Sequence, residues 1–136
     1  MKDKFKEIFE GLKVAYGQYQ KGERGENGKQ GGKAFIVRGI VTDDLWEKHL
    51  KGEGPALGII PITEHNTCKW GCIDIDEYDF DHLSLVRNVR ELKLPLIVCR
   101  SKSGGAHVFL FTKEFIPAFL MQGTCLLLQR RRPQRN

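Results

Sequence analysis

Between residues 68 and 111 the spacing of apolar positions switches from strand to helix and back to strand. In Trp70-Gly71-Cys72-Ile73-Asp74-Ile75-Asp76, Ile73 and Ile75 take one side of a strand and Cys72, Asp74 and Asp76 the other, because side chains reverse at every strand residue. His82, Leu85, Val86, Val89 and Leu92 then recur at helical spacing, with Asp79 or Asp81 as the N-cap and Leu94-Pro95 as the stop. Leu96-Ile97-Val98-Cys99 is a short apolar strand. From 106 to 111, His107, Phe109 and Phe111 share one face while Ala106, Val108 and Leu110 share the other. The pattern predicts β(68–76)-α(80–93)-β(96–100) as a crossover on one sheet, followed by a hairpin strand. The expected class is α/β in its α+β form, a mixed or antiparallel sheet with packed helices.

The first half is less regular. Phe5, Ile8, Phe9, Leu12, Tyr16 and Tyr19 follow helical spacing, which predicts an amphipathic helix over 3–20 whose aromatic stripe is core, with nucleic-acid stacking by Tyr16 or Tyr19 as the alternative. Residues 21–33 are polar and Gly-rich and read as a solvated loop, and 34–37 as a short strand. Thr42 is placed to cap a helix over 43–50 that Gly52 ends. Residues 55–62 read as a strand that turns through 63–67 into an antiparallel hairpin with the Asp74 strand. After Pro117 no pattern continues, so the expected organisation is a domain over 1–117 and a divergent basic tail over 118–136.

A chain of 136 residues is long enough for an ordinary core. It contains no apolar run of membrane-spanning length and no secretory start, so the expected location is cytoplasmic, without a membrane partner. The formal charge of +5 owes +4 to Arg130, Arg131, Arg132 and Arg135, and residues 1–129 carry 18 basic against 17 acidic side chains. Affinity for nucleic acid therefore has to come from local clusters or from the tail. Cys68, Cys72, Cys99 and Cys125 lack paired Cys-x-x-Cys spacing; Cys68, Cys72 and His65 make only the start of a zinc site, and reduced thiols fit better.

Two carboxylates on one face at the end of a buried strand repel each other and resist desolvation, which a divalent cation relieves. Mg²⁺ takes one or two carboxylates and fills its other positions with water and phosphate oxygens. Arg100-Ser101-Lys102-Ser103-Gly104-Gly105 adds two cations, two hydroxyls and a flexible turn, the ingredients of an anion cradle, and His107 opens the next strand. The plainer alternative is a strand ending in a solvated acidic turn, since Glu77, Asp79 and Asp81 follow.

Asp74-x-Asp76, followed after a helix by Arg100-Ser101-Lys102-Ser103-Gly104-Gly105-Ala106-His107-Val108-Phe109-Leu110-Phe111, resembles the first two motifs of the archaeo-eukaryotic primase superfamily. It is most similar to the primase-polymerase domains of bacterial mobile elements, conflict systems and phages, over about residues 5–117. The resemblance implies a catalytic core like an RNA-recognition motif, with Asp74 and Asp76 holding Mg²⁺ or Mn²⁺. Gly105-Ala106-His107 matches the small-x-His motif whose histidine contacts the nucleotide's phosphates. Arg100, Ser101, Lys102, Ser103, Gly104 and Gly105 occupy phosphate-binding positions beside it. The implied activity is template-directed primer synthesis or extension, with an NTP or dNTP and a DNA template or primer as partners. A helicase or another replication or conflict-system protein is a further implied partner. Members of the superfamily usually carry a third carboxylate downstream, whereas this chain has only Glu91 and Glu114 after Asp81. Three alternatives stand beside that reading: a catalytically incomplete nucleotide-binding remnant, a non-enzymatic RRM-like nucleic-acid-binding module, and a different Asp-x-Asp enzyme such as a nuclease or sugar-nucleotide transferase.

Overall fold

The helical spacing at the N-terminus holds for only two turns. In the computed structural model, which describes residues 1–24, 30–77, 79–102 and 104–130, α1 is Lys2–Ile8, with the Phe5 and Phe9 rings stacked at 6.0 Å. The helix predicted over 3–20 is corrected beyond this point, because β1 (Ala15–Arg24) begins instead. It pairs antiparallel with β2 (Gln30–Arg38), Tyr16 opposite Val37 and Tyr19 opposite Ala34. Three positions apart on a strand, the two tyrosines point to opposite faces. Tyr16 is buried, and the half-buried Tyr19 donates its hydroxyl to the Gly31 carbonyl at 3.1 Å. The loop predicted over 21–33 is corrected at both ends, since 21–24 and 30–33 are strand; 25–29 lie outside the described residues.

α2 (Asp43–Lys51) has the predicted caps: Thr42 Oγ1 accepts from the Leu45 N–H at 3.4 Å, and Gly52 turns left-handed at φ 73°. Lys2 lies 3.3 Å from Asp43 and 2.6 Å from Glu47, and Lys6 pairs with Asp43, tying α1 to α2. Lys6 chiefly holds the Asp43 carboxyl below its usual range, and Lys2 does the same for Glu47. Being solvent-exposed, these pairs orient the helices more than they stabilise them.

β3 (Ala56–Gly58) is shorter than the strand predicted over 55–62, and it pairs with β1, giving the order β2-β1-β3. The predicted hairpin with the Asp74 strand does not form. Past Gly58 the chain leaves the ladder: the Ile60 carbonyl accepts from the Leu12 N–H at 2.8 Å, and Pro61 has no N–H to give. These elements form one compact unit, residues 1–66; residues 67–136 form a second.

The second unit follows the sequence pattern closely. β4 (Thr67–Ile75), α3 (His82–Glu91), β5 (Leu96–Arg100) and β6 (Ala106–Pro117) are joined in that order, and α4 (Ala118–Arg130) follows directly. β6 lies between β4 and β5 and is antiparallel to both, so those two run parallel and α3 crosses over β6 to connect them. Asp81 rather than Asp79 caps α3, its Oδ1 accepting from the Ser84 N–H at 2.9 Å. Ile73, Ile75, Leu85, Val89, Ala106 and Val108 make the core, with Cys68, Leu110 and Met121 a second cluster beneath α4. Residues 118–130, left without a pattern by the sequence, are thus a helix seated on β4 and β6. The architecture is the predicted α+β class: two antiparallel sheets and packed helices.

Candidate functional site

Within the second unit, α3 and α4 pack on the face carrying Ile73, Val108 and Leu110. Cross-strand register places three rows on the opposite face: Trp70 with Phe111; Cys72, Phe109 and Ile97; and Asp74, His107 and Cys99. Asp74 and His107 are direct partners across β4 and β6, with His107 Nε2 3.4 Å from Asp74 Oδ1, an ion pair only while the ring is protonated. Both are accessible, Asp74 71% and His107 44% exposed. Cys72 opens to solvent, yet neighbouring side chains desolvate its thiol and the Asp74 carboxylate adds to the effect, pushing it up to about 11. That thiol stays protonated at neutral pH. A ring ladder continues the row: His107 stands edge-on to Phe109 at 6.1 Å, and Phe109 stacks on Phe111 at 5.8 Å and meets Trp70 at 6.2 Å.

The turn between β5 and β6 touches the end of β4 through backbone. Any Cβ added to Gly105 would overlap the Ile75 carbonyl oxygen and sit 3.1 Å from its carbon and 3.4 Å from Asp76 Cα. Only glycine lets the two motifs approach so closely. Asp76, exposed, follows the last residue of β4 at this contact. Inside the turn the Ser101 N–H donates to the Gly105 carbonyl at 2.9 Å and the Gly104 N–H to the Ser101 carbonyl at 3.2 Å, with Gly104 at φ 96°. Ser101 is buried and Lys102 exposed; Ser103 lies outside the described residues. Arg100 is in register with the fully buried Ala106, so β5 turns it toward the face opposite Asp74 and His107.

His82 completes the arrangement. The helical spacing placed it in an apolar stripe, but its Nε2 lies 2.8 Å from the Gly105 carbonyl, which can only accept. A polar ring in the first turn of an otherwise aliphatic stripe was the available signal.

Two adjacent carboxylates on a solvent-accessible strand end suit one hard, oxygen-preferring cation that completes its shell with water and phosphate oxygens. They do not suit a pair of ions. Among the described residues no three His, Cys, Asp or Glu side chains are grouped to hold a metal. Glu114 is seven residues along β6 from His107, roughly 23 Å at strand rise. Glu91 is nine residues along α3 from His82, about 14 Å at helix rise. Glu114 lies past Phe111 on β6, opposite the start of β4 and far from Asp74 at its end, and among the described residues neither glutamate is grouped with the two aspartates. The zinc alternative also loses its geometry: an irregularity between Cys68 and Trp70 leaves Cys68 buried under α4 and Cys72 beside Phe109 on the other face.

No curated protein matches the chain. The family described as "TOTE conflict system, Archaeo-Eukaryotic Primase domain" matches residues 12–135, from the connection after α1 to beyond α4. Domains of this kind use divalent metals and bind nucleotides and DNA. With its Asp-x-Asp strand, Gly turn and His107 all inside that span, the chain belongs to the archaeo-eukaryotic primase domain family of TOTE conflict systems, and is a primase-polymerase-type domain.

Proposed function

We propose that this domain binds a nucleoside triphosphate with one Mg²⁺ or Mn²⁺ at the Asp74–His107 row, and uses it in primer synthesis or extension on a DNA template. The observation that carries the reading is the cross-strand pairing of Asp74 with His107 beside a Gly turn wedged against β4. Asp74 and Asp76 hold the cation, which when bound neutralises the triphosphate and acidifies the attacking 3′-hydroxyl. His107 donates from its ring to a phosphate oxygen. Lys102 supplies the nearest turn cation, while Arg100, facing the other way at the end of β5, acts at longer range. The Gly104 amide is already committed to Ser101, so side chains rather than that amide carry the anion contact.

The test is titration calorimetry of the whole chain with ATP and dATP, in Mn²⁺ and in EDTA, alongside primer extension. Binding that requires Mn²⁺ is expected, and equal affinity in EDTA removes the basis for the site. Primer extension by the chain alone would mean that two carboxylates suffice, or that a further one is recruited. Binding without extension leaves the nucleotide-binding remnant.

The ring ladder favours one other reading, a module that holds single strands by base stacking without chemistry. Each stacked base contributes about 1–3 kcal/mol. Phe109→Ala is therefore expected to weaken oligonucleotide binding roughly tenfold or more in fluorescence anisotropy. If wild-type affinity for the strand is the same in EDTA and no nucleotide binds, the module reading displaces the enzyme.

A further inference from the structure

We infer that His82 is a positioning residue for the β5–β6 turn: its Nε2–H holds the Gly105 carbonyl, and with it the turn, against the end of β4. The contact at 2.8 Å stands on its own; what the turn presents to a nucleotide rests on the function proposed above.

The Gly105 carbonyl is the point where three elements meet. It accepts from Ser101 within the turn at 2.9 Å and from His82 on α3 at 2.8 Å, while the end of β4 at Ile75 and Asp76 leaves Gly105 no room for a side chain. The Ser101 bond closes the turn on itself but does not tell it where to sit. The bond from α3 does, because α3 packs through Leu85 and Val89 on the same core as Ile73, Ile75 and Val108. The ring itself is held. Phe80 stands edge-on to it at 5.2 Å, the His82 N–H donates to the Phe80 carbonyl at 3.1 Å, and the Asp81 cap fixes the helix start. A half-buried carbonyl that loses a donor pays a desolvation penalty, so the turn moves to find another. Lys102 and His107, on either side of Gly105, move with it. A misplacement near 1 Å in such a site lowers function up to about a hundredfold.

The test compares His82→Leu with His82→Gln, whose side-chain amide nitrogen falls near the Nε2 position. Amide hydrogen exchange and the affinity for ATP with Mn²⁺ are measured on the whole chain. His82→Leu is expected to speed exchange at the Ser101 amide, leave core amides such as Val108 protected, and weaken ATP binding about tenfold. His82→Gln restores both. Unchanged exchange at Ser101 in His82→Leu overturns the inference. So does faster exchange with unchanged affinity in a protein whose wild type binds ATP. If the wild type binds no ATP, the proposed function fails, and Ser101 exchange still decides the role of His82.

Discussion

Asp74→Ala is expected to lower the affinity for ATP in Mn²⁺ by at least about a hundredfold, while in EDTA the variant binds ATP as well as the wild type or better. The two halves follow from one charge. Losing a partner that only supports a metal ligand costs 10–100-fold in metal affinity, so losing the ligand itself lies at or beyond the upper end, about 2.8 kcal/mol. Without metal the same carboxylate faces a polyanion, and its removal relieves repulsion. Fold damage gives neither pattern, because Asp74 is 71% exposed and its truncation is expected to change stability by less than about 0.5 kcal/mol. Calorimetric isotherms in the two buffers, with thermal unfolding as a control, make the comparison. A loss in Mn²⁺ that comes with a lowered unfolding temperature would show that Asp74 acts structurally; no loss in Mn²⁺ would remove it from the site.

Gly105→Ala is expected to be far more damaging than Gly104→Ala, one position away. At Gly105 the added methyl runs into the Ile75 carbonyl, and backbone cannot swing aside as a side-chain tip can. Either the turn lifts off β4 or the Ile75–Ala106 and Asp74–His107 pairs separate. Overpacking of this sort costs about 1–3 kcal/mol and sometimes more. At Gly104 nothing lies within 4 Å of a new Cβ, so the cost is only the strain of φ 96° on an alanine, about 1 kcal/mol. Hydrogen exchange at β4 and β6 amides separates the cases, since opening there reads the local stability directly. ATP affinity in Mn²⁺ should fall with Gly105→Ala and stay within a few-fold for Gly104→Ala. Equal protection in the two variants would mean that the turn is not wedged against β4.

Residues 67–111 were the readable part of this sequence, and the reason is local. Ile73 and Ile75, Leu85 and Val89, and Ala106, Val108 and Leu110 each bury one side of an element against the same core, so their spacing reports the element directly. The cap at Thr42 was readable likewise, and the one on α3 down to a choice of Asp79 or Asp81, because a cap bonds within three residues of itself. The N-terminal half deceived for the converse reason. Tyr16 and Tyr19 lie at a spacing that serves a helix, and only their ladder partners Val37 and Ala34, some twenty and fifteen positions away, make that stretch a strand. Residues 55–62 contain apolar residues enough for a full strand, but β1 takes only three of them. α4 escaped notice because its apolar residues fall on all sides, leaving no stripe to detect.

From the order of its residues alone, the chain declared the Asp74-x-Asp76 strand, the basic Gly turn, His107 on a common strand face with the rings, and the α+β class. All of that is encoded within short windows, where period and turn chemistry suffice. Folding supplied what lies between the windows. β6 inserts between β4 and β5 and makes Asp74 and His107 direct partners; Arg100 rotates away from them; Gly105 locks against Ile75; and His82 reaches the turn from α3. Each of these depends on which strand lies beside which and in what register, and long-range pairing is set by burial of the shared core rather than by any neighbour along the chain.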